Sequence, residues 1–311
     1  MKKSVDVLGS MVRGGKTPED AYNDLAHLLG EDVAKEALRE YEKRAGLIRS
    51  LEDPFVFQKK GLRAWYLGPQ EGDKYWPALA KYLREEKGWP AESLESIDRA
   101  STKIVSHMQP SGLGSIDTRG LVVGYVQSGK TANYTAVVAK AADIGYRLFI
   151  VLAGVHNALR SQTQRRLDRE LVGLNRKWWA QLTSVSEDFR STPAGNTDAF
   201  LSDHSHLRIL CVVKKNAHVL KRLKKWLQAG SKAVLDSCPV LIIDDEADQA
   251  GLNAARKDDE RTAINTLLLE IMEHLPKAAY IGYTATPFAN VLVNPDPKRP
   301  DLYPKDFIVD L

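Results

Sequence analysis

The segment that most constrains this chain is Gly124-Tyr125-Val126-Gln127-Ser128-Gly129-Lys130-Thr131. It fills every position of the pattern GxxxxGK[ST], with an apolar run over Gly120–Val126 before it and a helical pattern through Ala132–Lys140 after it. That strand-then-helix setting is the one in which the pattern has physical meaning. Backbone N–H groups of such a loop wrap phosphate oxygens, and the following helix directs its positive end at the anion. Gly124 and Gly129 permit the close approach, with Gln127 and Ser128 completing the cradle. Lys130 is placed to neutralise β- and γ-phosphates and Thr131 to ligate Mg²⁺, so ATP and Mg²⁺ are the expected cofactors. The chain carries its own control. Gly15-Lys16-Thr17 spells the same last three letters, but Ser10 stands where the first glycine belongs and Pro18 opens an ordinary helix.

Two further segments follow apolar runs. Val240-Leu241-Ile242-Ile243 leads into Asp244-Asp245-Glu246-Ala247-Asp248. A carboxylate at the tip of a strand adjacent to the phosphate-loop strand can reach Mg²⁺, and a neighbouring glutamate can polarise the attacking water. Asp245 is the expected metal ligand and Glu246 the expected base, acting with Lys130. Asp248 couples the site to its surroundings, and Asp244 is the alternative metal ligand because the sequence does not fix the frame of the strand tip. Gly282-Tyr283-Thr284-Ala285-Thr286-Pro287 comes next, with Thr284 and Thr286 as coupling hydroxyls.

Apolar runs at Gly120–Val126, Leu148–Ala153, Leu207–Val213, Val240–Ile243 and Ala278–Ile281 alternate with amphipathic helices. Runs of that kind suit strands covered on both faces, and the alternation predicts an α/β fold with a mainly parallel sheet between helices. The first hundred residues read as helical. Thr17-Pro18 is a helix start, Leu25, Leu28 and Leu29 a stripe, and a second helix spans Glu31–Ala45. A long helix follows Pro90 and stops before Pro110. The expected organisation is a helical domain over 1–110, a joint over 111–119, an ATPase lobe over 120–293 and a linker over 294–311.

A hydrophobic fraction of 43% with 27% charged residues is that of a water-soluble globular chain. No stretch approaches the roughly 20 apolar residues of a membrane span, and the amino terminus lacks a signal core, so a cytoplasmic protein is expected. Cys211 and Cys238 sit in strand-like runs and read as buried thiols. The net charge of +4 is small, but Arg208–Lys232 holds eight cations and no carboxylate. Such a block faces solvent or an anion.

Taken together, the three motifs resemble those of superfamily 2 helicases and translocases over about Gly120–Asn290, which implies a RecA-like P-loop lobe. Arg119–Thr131, Leu152–Gln164 and Gly282–Asn290 more closely resemble the endonuclease Z-one domain family, a bacterial helicase-like ATPase group linked to restriction and phage defence. By position, the helicase frame implies that Arg160, Gln162 and Gln164, then Lys214, Lys215 and Lys221, touch a nucleic-acid backbone, DNA rather than RNA. Gln109 takes the place of an adenine reader. The frame also implies a second RecA-like lobe, from the rest of a longer chain or a partner, because an arginine supplied there raises turnover by about 10³–10⁵. This chain alone is then a slow ATPase. Other defence-system proteins are possible partners by the same resemblance, and no membrane is.

Two other functions compete with the motor. One is an ATP-gated interaction switch that moves no strand. The other is an ATP-regulated endonuclease whose cutting site lies elsewhere: Glu85-Glu86-Lys87 has the letters of a nuclease triplet but sits in an amphipathic helical pattern with Leu79, Tyr82 and Leu83 inward.

Overall fold

A computed structural model describes residues 2–49, 57–58, 65–124, 129–190, 197–202, 206–247, 255–285, 302 and 304–311. The amino-terminal part comprises α1 (Lys2–Arg13), α2 (Pro18–Leu29), α3 (Glu31–Arg49), β1 (Phe57–Gln58), α4 (Tyr75–Glu85) and α5 (Ala91–His107). Then come β2 (Ile116–Val123), α6 (Lys130–Asp143), β3 (Leu148–Ala153), α7 (Asn157–Glu170), β4 (Trp179–Gln181), α8 (Thr197–Leu201) and β5 (Arg208–Val213). The chain continues through α9 (Ala217–Gln228), α10 (Lys232–Asp236), β6 (Val240–Asp245), α11 (Ala255–His274), β7 (Lys277–Thr284) and β8 (Phe307–Asp310).

The strands form one sheet in the order β1-β8-β2-β7-β6-β3-β5-β4. Every pairing is parallel except that of β1 with β8. The apolar runs are explained by two-sided cover. In β3, Phe149, Val151 and Ala153 join the core that contains α6, while Leu148, Ile150 and Leu152 join the core that contains α9 and α11. A strand buried on both faces keeps no polar register, so its sequence reads as continuous rather than alternating. Cys211 and Cys238 are both free and buried, as expected.

Two strands extend into segments read off the sequence as joint and linker. β2 begins at Ile116, inside the expected joint, because Asp117 and Arg119 occupy its less buried positions and interrupt the apolar signal. The expected linker over 294–311 ends in a strand: β8 pairs in parallel with β2, matching Gly120 to Phe307 and Val123 to Asp310. Four residues, half of them buried, are too short a pattern to stand out in the sequence. β4 is likewise hidden in a polar stretch. Nor do the amino-terminal helices form a separate core. Leu8, Leu25, Tyr41, Trp76 and Ile104 belong to the same buried cluster as Val137 of α6 and Ile281 of β7.

Thr17 does start α2, its hydroxyl accepting from the Asp20 N–H at 3.0 Å. The glycine before it has its own use. Gly15 has φ +97° and packs so closely on Gly112 that a Cβ would lie 2.1 Å from the Gly112 carbonyl oxygen. The letters that imitate a phosphate loop are therefore a crossing of two backbones followed by a helix cap. The expected stripe is corrected: Leu25 is buried, but Leu28 and Leu29 are 69% and 51% exposed.

Helix α6 fixes the layers. Eleven of its fourteen residues are buried, which requires cover on both sides. The sheet supplies one side and α4 and α5 the other. Asp143 at its carboxyl end accepts from the backbone N–H groups of Lys74, Tyr75 and Trp76 at 2.6, 2.9 and 2.8 Å. It thereby caps α4, whose own N-cap residue contributes no side-chain bond. Lys140 donates to the Asp98 carboxylate (2.5 Å), the Asp98 carbonyl (2.7 Å) and the Thr102 hydroxyl (2.6 Å), with its ammonium 4.4 Å from the Trp76 ring centre. Among the described residues, no helix is long and apolar enough to cross a membrane.

Two outcomes follow from this packing. A Cβ at Gly120 would sit 2.1 Å from the Phe307 ring. Gly120→Ala is expected to lower stability by about 1–3 kcal/mol, the range for overpacking a filled core, measured by urea unfolding. Burial pushes the Lys140 ammonium down to about 8 from its ordinary 10.5, against the attraction of Asp98. Between those values the unfolded chain binds more protons than the folded one, so this group makes stability rise with pH across that window and fall again toward pH 8. Unfolding curves of wild type and Lys140→Met, compared from pH 8 to 10, should differ by that slope.

Candidate functional site

The motif-bearing segments converge at the carboxyl-terminal edge of the sheet. Gly124 follows β2, Thr284 ends β7, Asp245 ends β6 and Gly154 follows β3. One expectation about their order is overturned. The strand bearing Asp244 and Asp245 is not adjacent to the phosphate-loop strand, because β7 lies between them. Its tip is bonded to both neighbours: the Gly124 N–H donates to the Thr284 carbonyl at 2.9 Å, and the Ala247 N–H to the Tyr283 carbonyl at 2.8 Å. Thr284 is fully buried there, wedged between the two other motifs.

Gly129 occupies the N-cap position of α6 in the left-handed region, φ 79° and ψ 19°, where glycine carries no Cβ penalty. Gly129 itself supplies no side-chain cap, and the first N–H groups of a helix are where an anion is favoured. The Lys130 ammonium donates to the Gly124 carbonyl at 2.8 Å. Gln127 and Ser128 lie outside the described residues, as do Asp248 and Thr286.

The frame of the acidic tip is resolved by burial. Asp244 turns inward, forms an ion pair with Lys215 and accepts from the Tyr280 hydroxyl at 2.7 Å. Asp245 turns to the loop side and accepts from the Tyr134 hydroxyl at 3.2 Å. It lines a cavity of about 170 Å³ together with Thr131, Glu246, Gly154, Gln162 and Arg166. Glu246 adopts φ +57°, a region that costs a side-chain-bearing residue about 1–2 kcal/mol. Burial holds the Asp245 carboxyl above the ordinary carboxylate range, with Asp244 adding to the effect. The hydrogen bond from Tyr134 and the charges of Lys215 and Lys130 oppose it.

These donors fit Mg²⁺. A hydroxyl and a carboxylate share one cavity, the carboxylate is desolvated, and both are the hard oxygen ligands that Mg²⁺ takes alongside phosphate oxygens and water. Among the described residues, no cluster of three or more His, Cys, Asp or Glu side chains could hold a metal by itself. The nuclease-like letters Glu85, Glu86 and Lys87 are exposed at the end of α4, while Leu79, Tyr82 and Leu83 pack inward.

The expected nucleic-acid contacts divide sharply. Arg160 is 2% exposed and donates to the carbonyls of Ser184 (3.0 Å), Val185 (2.8 Å) and Val212 (3.4 Å). Gln164 is fully buried, donating to Asp168 at 2.7 Å and accepting from Thr183 at 2.8 Å. Lys215 is buried against Asp244. These three are structural, and their assignment to a bound strand is withdrawn: a side chain whose donors are satisfied inside the fold has none to present outside. Gln162 and Lys221 are exposed, and Lys214 is half-buried with its ammonium on the Asn157 side-chain oxygen at 2.9 Å. On α9, Leu220, Leu223 and Leu227 face inward as expected, Lys221, Arg222 and Lys225 are exposed, and Lys224 pairs with Glu270 at 2.9 Å. Gln109 caps the start of β2, its side-chain oxygen accepting from the Asp117 N–H at 2.8 Å.

Sequence reasoning missed Tyr134 and Tyr283. Their rings meet edge to face 5.5 Å apart, and the Tyr283 hydroxyl donates to Asn133 at 2.9 Å. Both sit beside recognised motif residues, and nothing in the linear pattern separates them from ordinary core aromatics.

No family model and no curated protein matches this chain. Among solved structures it is similar to Mss116p (NTE and C-tail double deletion) bound to ssRNA and AMP-PNP, at 14% identity and a TM-score of 0.34. The match covers 74% of this chain and 44% of that one, so this chain spans less than half the length of its structural counterpart. The α/β class stands on the sheet itself, seven parallel strands between helices with the strand before Gly124 inside. Asp244→Ala should lower stability by about 3 kcal/mol or more in urea unfolding, because it strands the buried Lys215 charge.

Proposed function

We propose that this chain is the ATP-binding lobe of a helicase- or translocase-like ATPase that acts on nucleic acid. The supporting observation is the meeting of Thr131, Asp245 and Glu246 around one cavity, at the amino end of α6. In this reading Gly124, Gln127, Ser128 and Gly129 cradle the phosphates with their backbone. Lys130 exchanges the Gly124 carbonyl for β- and γ-phosphate oxygens. Thr131 and Asp245 would hold Mg²⁺, which would supply charge neutralisation at the phosphates. Glu246 orients the attacking water and takes its proton. Asp248, Thr284 and Thr286 couple this chemistry to the nucleic-acid side of the lobe, and the position of β7 between the two other motif strands supports that role for Thr284.

Nucleic acid is met by the exposed donors Gln162, Lys221, Arg222 and Lys225 and the half-buried Lys214, at the same sheet edge and on α9. A second RecA-like lobe, from elsewhere in a longer protein or from a partner, completes the phosphate site with arginines. A place in restriction or phage defence, and DNA as the preferred strand, rest on the resemblance to the Z-one family alone.

A second reading has an observation of its own. Asp143 and Lys140 fasten α4 and α5 to the helix that begins at the phosphate loop. A nucleotide-driven shift of α6 would therefore be passed to the amino-terminal helices, as an ATP-gated interaction switch requires.

The deciding measurements are binding of a fluorescent ATP analogue and nucleic-acid-stimulated hydrolysis. Lys130→Ala should abolish measurable binding. Glu246→Gln should retain binding and lose hydrolysis by roughly 10²-fold or more, within the range for removing a general base. Affinity for single-stranded DNA or RNA should fall steeply as salt rises, because each neutralised phosphate releases a counterion. Hydrolysis indifferent to every nucleic acid offered rejects the motor and favours the switch.

A further inference from the structure

Lys215 lies two residues beyond β5 and is only 5% exposed. A lysine so deeply placed needs an anion and satisfied donors, since an isolated buried ammonium is strongly disfavoured. It has both. Its ammonium pairs with Asp244 and donates to the Glu246 backbone carbonyl at 2.7 Å. Its own N–H is tied to the Gly154 carbonyl at 2.8 Å, which fixes the base of the side chain against the loop after β3.

The bond to Glu246 falls at an unusual place. Glu246 and His206 are the non-glycine residues with positive φ among the described residues. A side chain in that conformation persists only where its surroundings hold it. The peptide joining Glu246 to Ala247 is held at both polar ends: its carbonyl accepts from Lys215, and its N–H donates to the Tyr283 carbonyl at 2.8 Å. The Tyr283 bond alone fixes one edge of that plane and leaves it free to tilt about the contact. Lys215 removes the remaining freedom. With the peptide set, the Glu246 side chain is directed into the cavity it shares with Thr131 and Asp245. A Cβ on Gly154 would lie 3.6 Å from its Oε2, an ordinary contact distance, which places the carboxylate beside the loop after β3.

We propose that Lys215 is a positioning residue for Glu246, holding it in the left-handed conformation that aims its carboxylate at the reacting water. This rests on Glu246 being the group that activates that water. Lys215 does not line the cavity and touches no reacting atom. The residue reaches the chemistry from β5 because β6 and β3 carry their tips to the same edge, where Asp244 supplies the counter-charge that makes a buried ammonium tolerable.

The test uses the full chain and separates turnover from binding. Lys215→Met alone leaves Asp244 without its counter-charge, so it is paired with Asp244→Asn, which keeps an acceptor for Tyr280. The double variant should fold and bind a fluorescent ATP analogue within about twofold of wild type, while turnover with Mg²⁺ and ATP falls roughly 10- to 100-fold at unchanged KM, the effect of misplacing a reacting group by a fraction of an ångström to one ångström. Turnover at the wild-type rate in the folded double variant overturns the proposal. So does a loss of turnover matched by an equal loss of nucleotide affinity, the pattern of a merely structural residue. If wild type is slowed by Glu246→Gln but not by the double variant, this inference alone fails. If the wild-type rate is unaffected by Glu246→Gln, the role of Glu246 fails and this inference with it.

Discussion

The burial of α6 is the constraint on which the rest of the molecule depends. Its amino end begins at the phosphate loop, and its sides are covered by the sheet and by α4 and α5. A helix with no exposed face cannot shift without repacking two layers, since interiors are as dense as organic crystals. The polar groups on it are therefore commitments. Lys140 and Asp143 reach outward to fasten the amino-terminal helices, while Asn133 and Tyr134 reach toward the strand tips. One element thus carries the loop, the docking of the amino-terminal region and part of the support for the acidic tip.

At the sheet edge the decisive arrangement is the interposition of β7. Its tip gives its carbonyls to Gly124 on one side and Ala247 on the other. A displacement of Gly124 would be felt at Thr284, and one of the acidic tip at Tyr283, through these bonds. The acidic tip is divided in the same economical way. Asp244 is spent inward on Lys215 and Tyr280, Asp245 faces the cavity, and Glu246 turns through a left-handed conformation to face it as well.

Much of this was legible in the linear chain because the relevant physics is local. The phosphate loop needs its glycines, lysine and threonine at fixed spacing, so Gly124–Thr131 stood out, and the control at Gly15–Thr17 failed for lack of a strand before it. The five longer parallel strands were legible because two-sided burial writes continuous apolar runs. The short ones, β4 and β8, were not, since three or four residues carry too little pattern to be told from loop. The nucleic-acid candidates fared worst. Arg160, Gln164 and Lys215 are polar residues in the expected stretches, but a polar residue's sequence does not say whether its partner is solvent, a ligand or a carbonyl inside the fold.

The sequence by itself determined the α/β class and located the glycine-lysine-threonine segment and the acidic segment, because each is a pattern of residues near one another in the chain. Only the tertiary structure decided which aspartate faces the cavity, that β7 separates the two motif strands, and that the carboxyl-terminal residues belong to the sheet. Strand order and side-chain direction depend on contacts between segments more than a hundred residues apart, as when Val123 meets Asp310 and Tyr134 meets Asp245. No local spacing encodes such a meeting, which is set when the whole core closes.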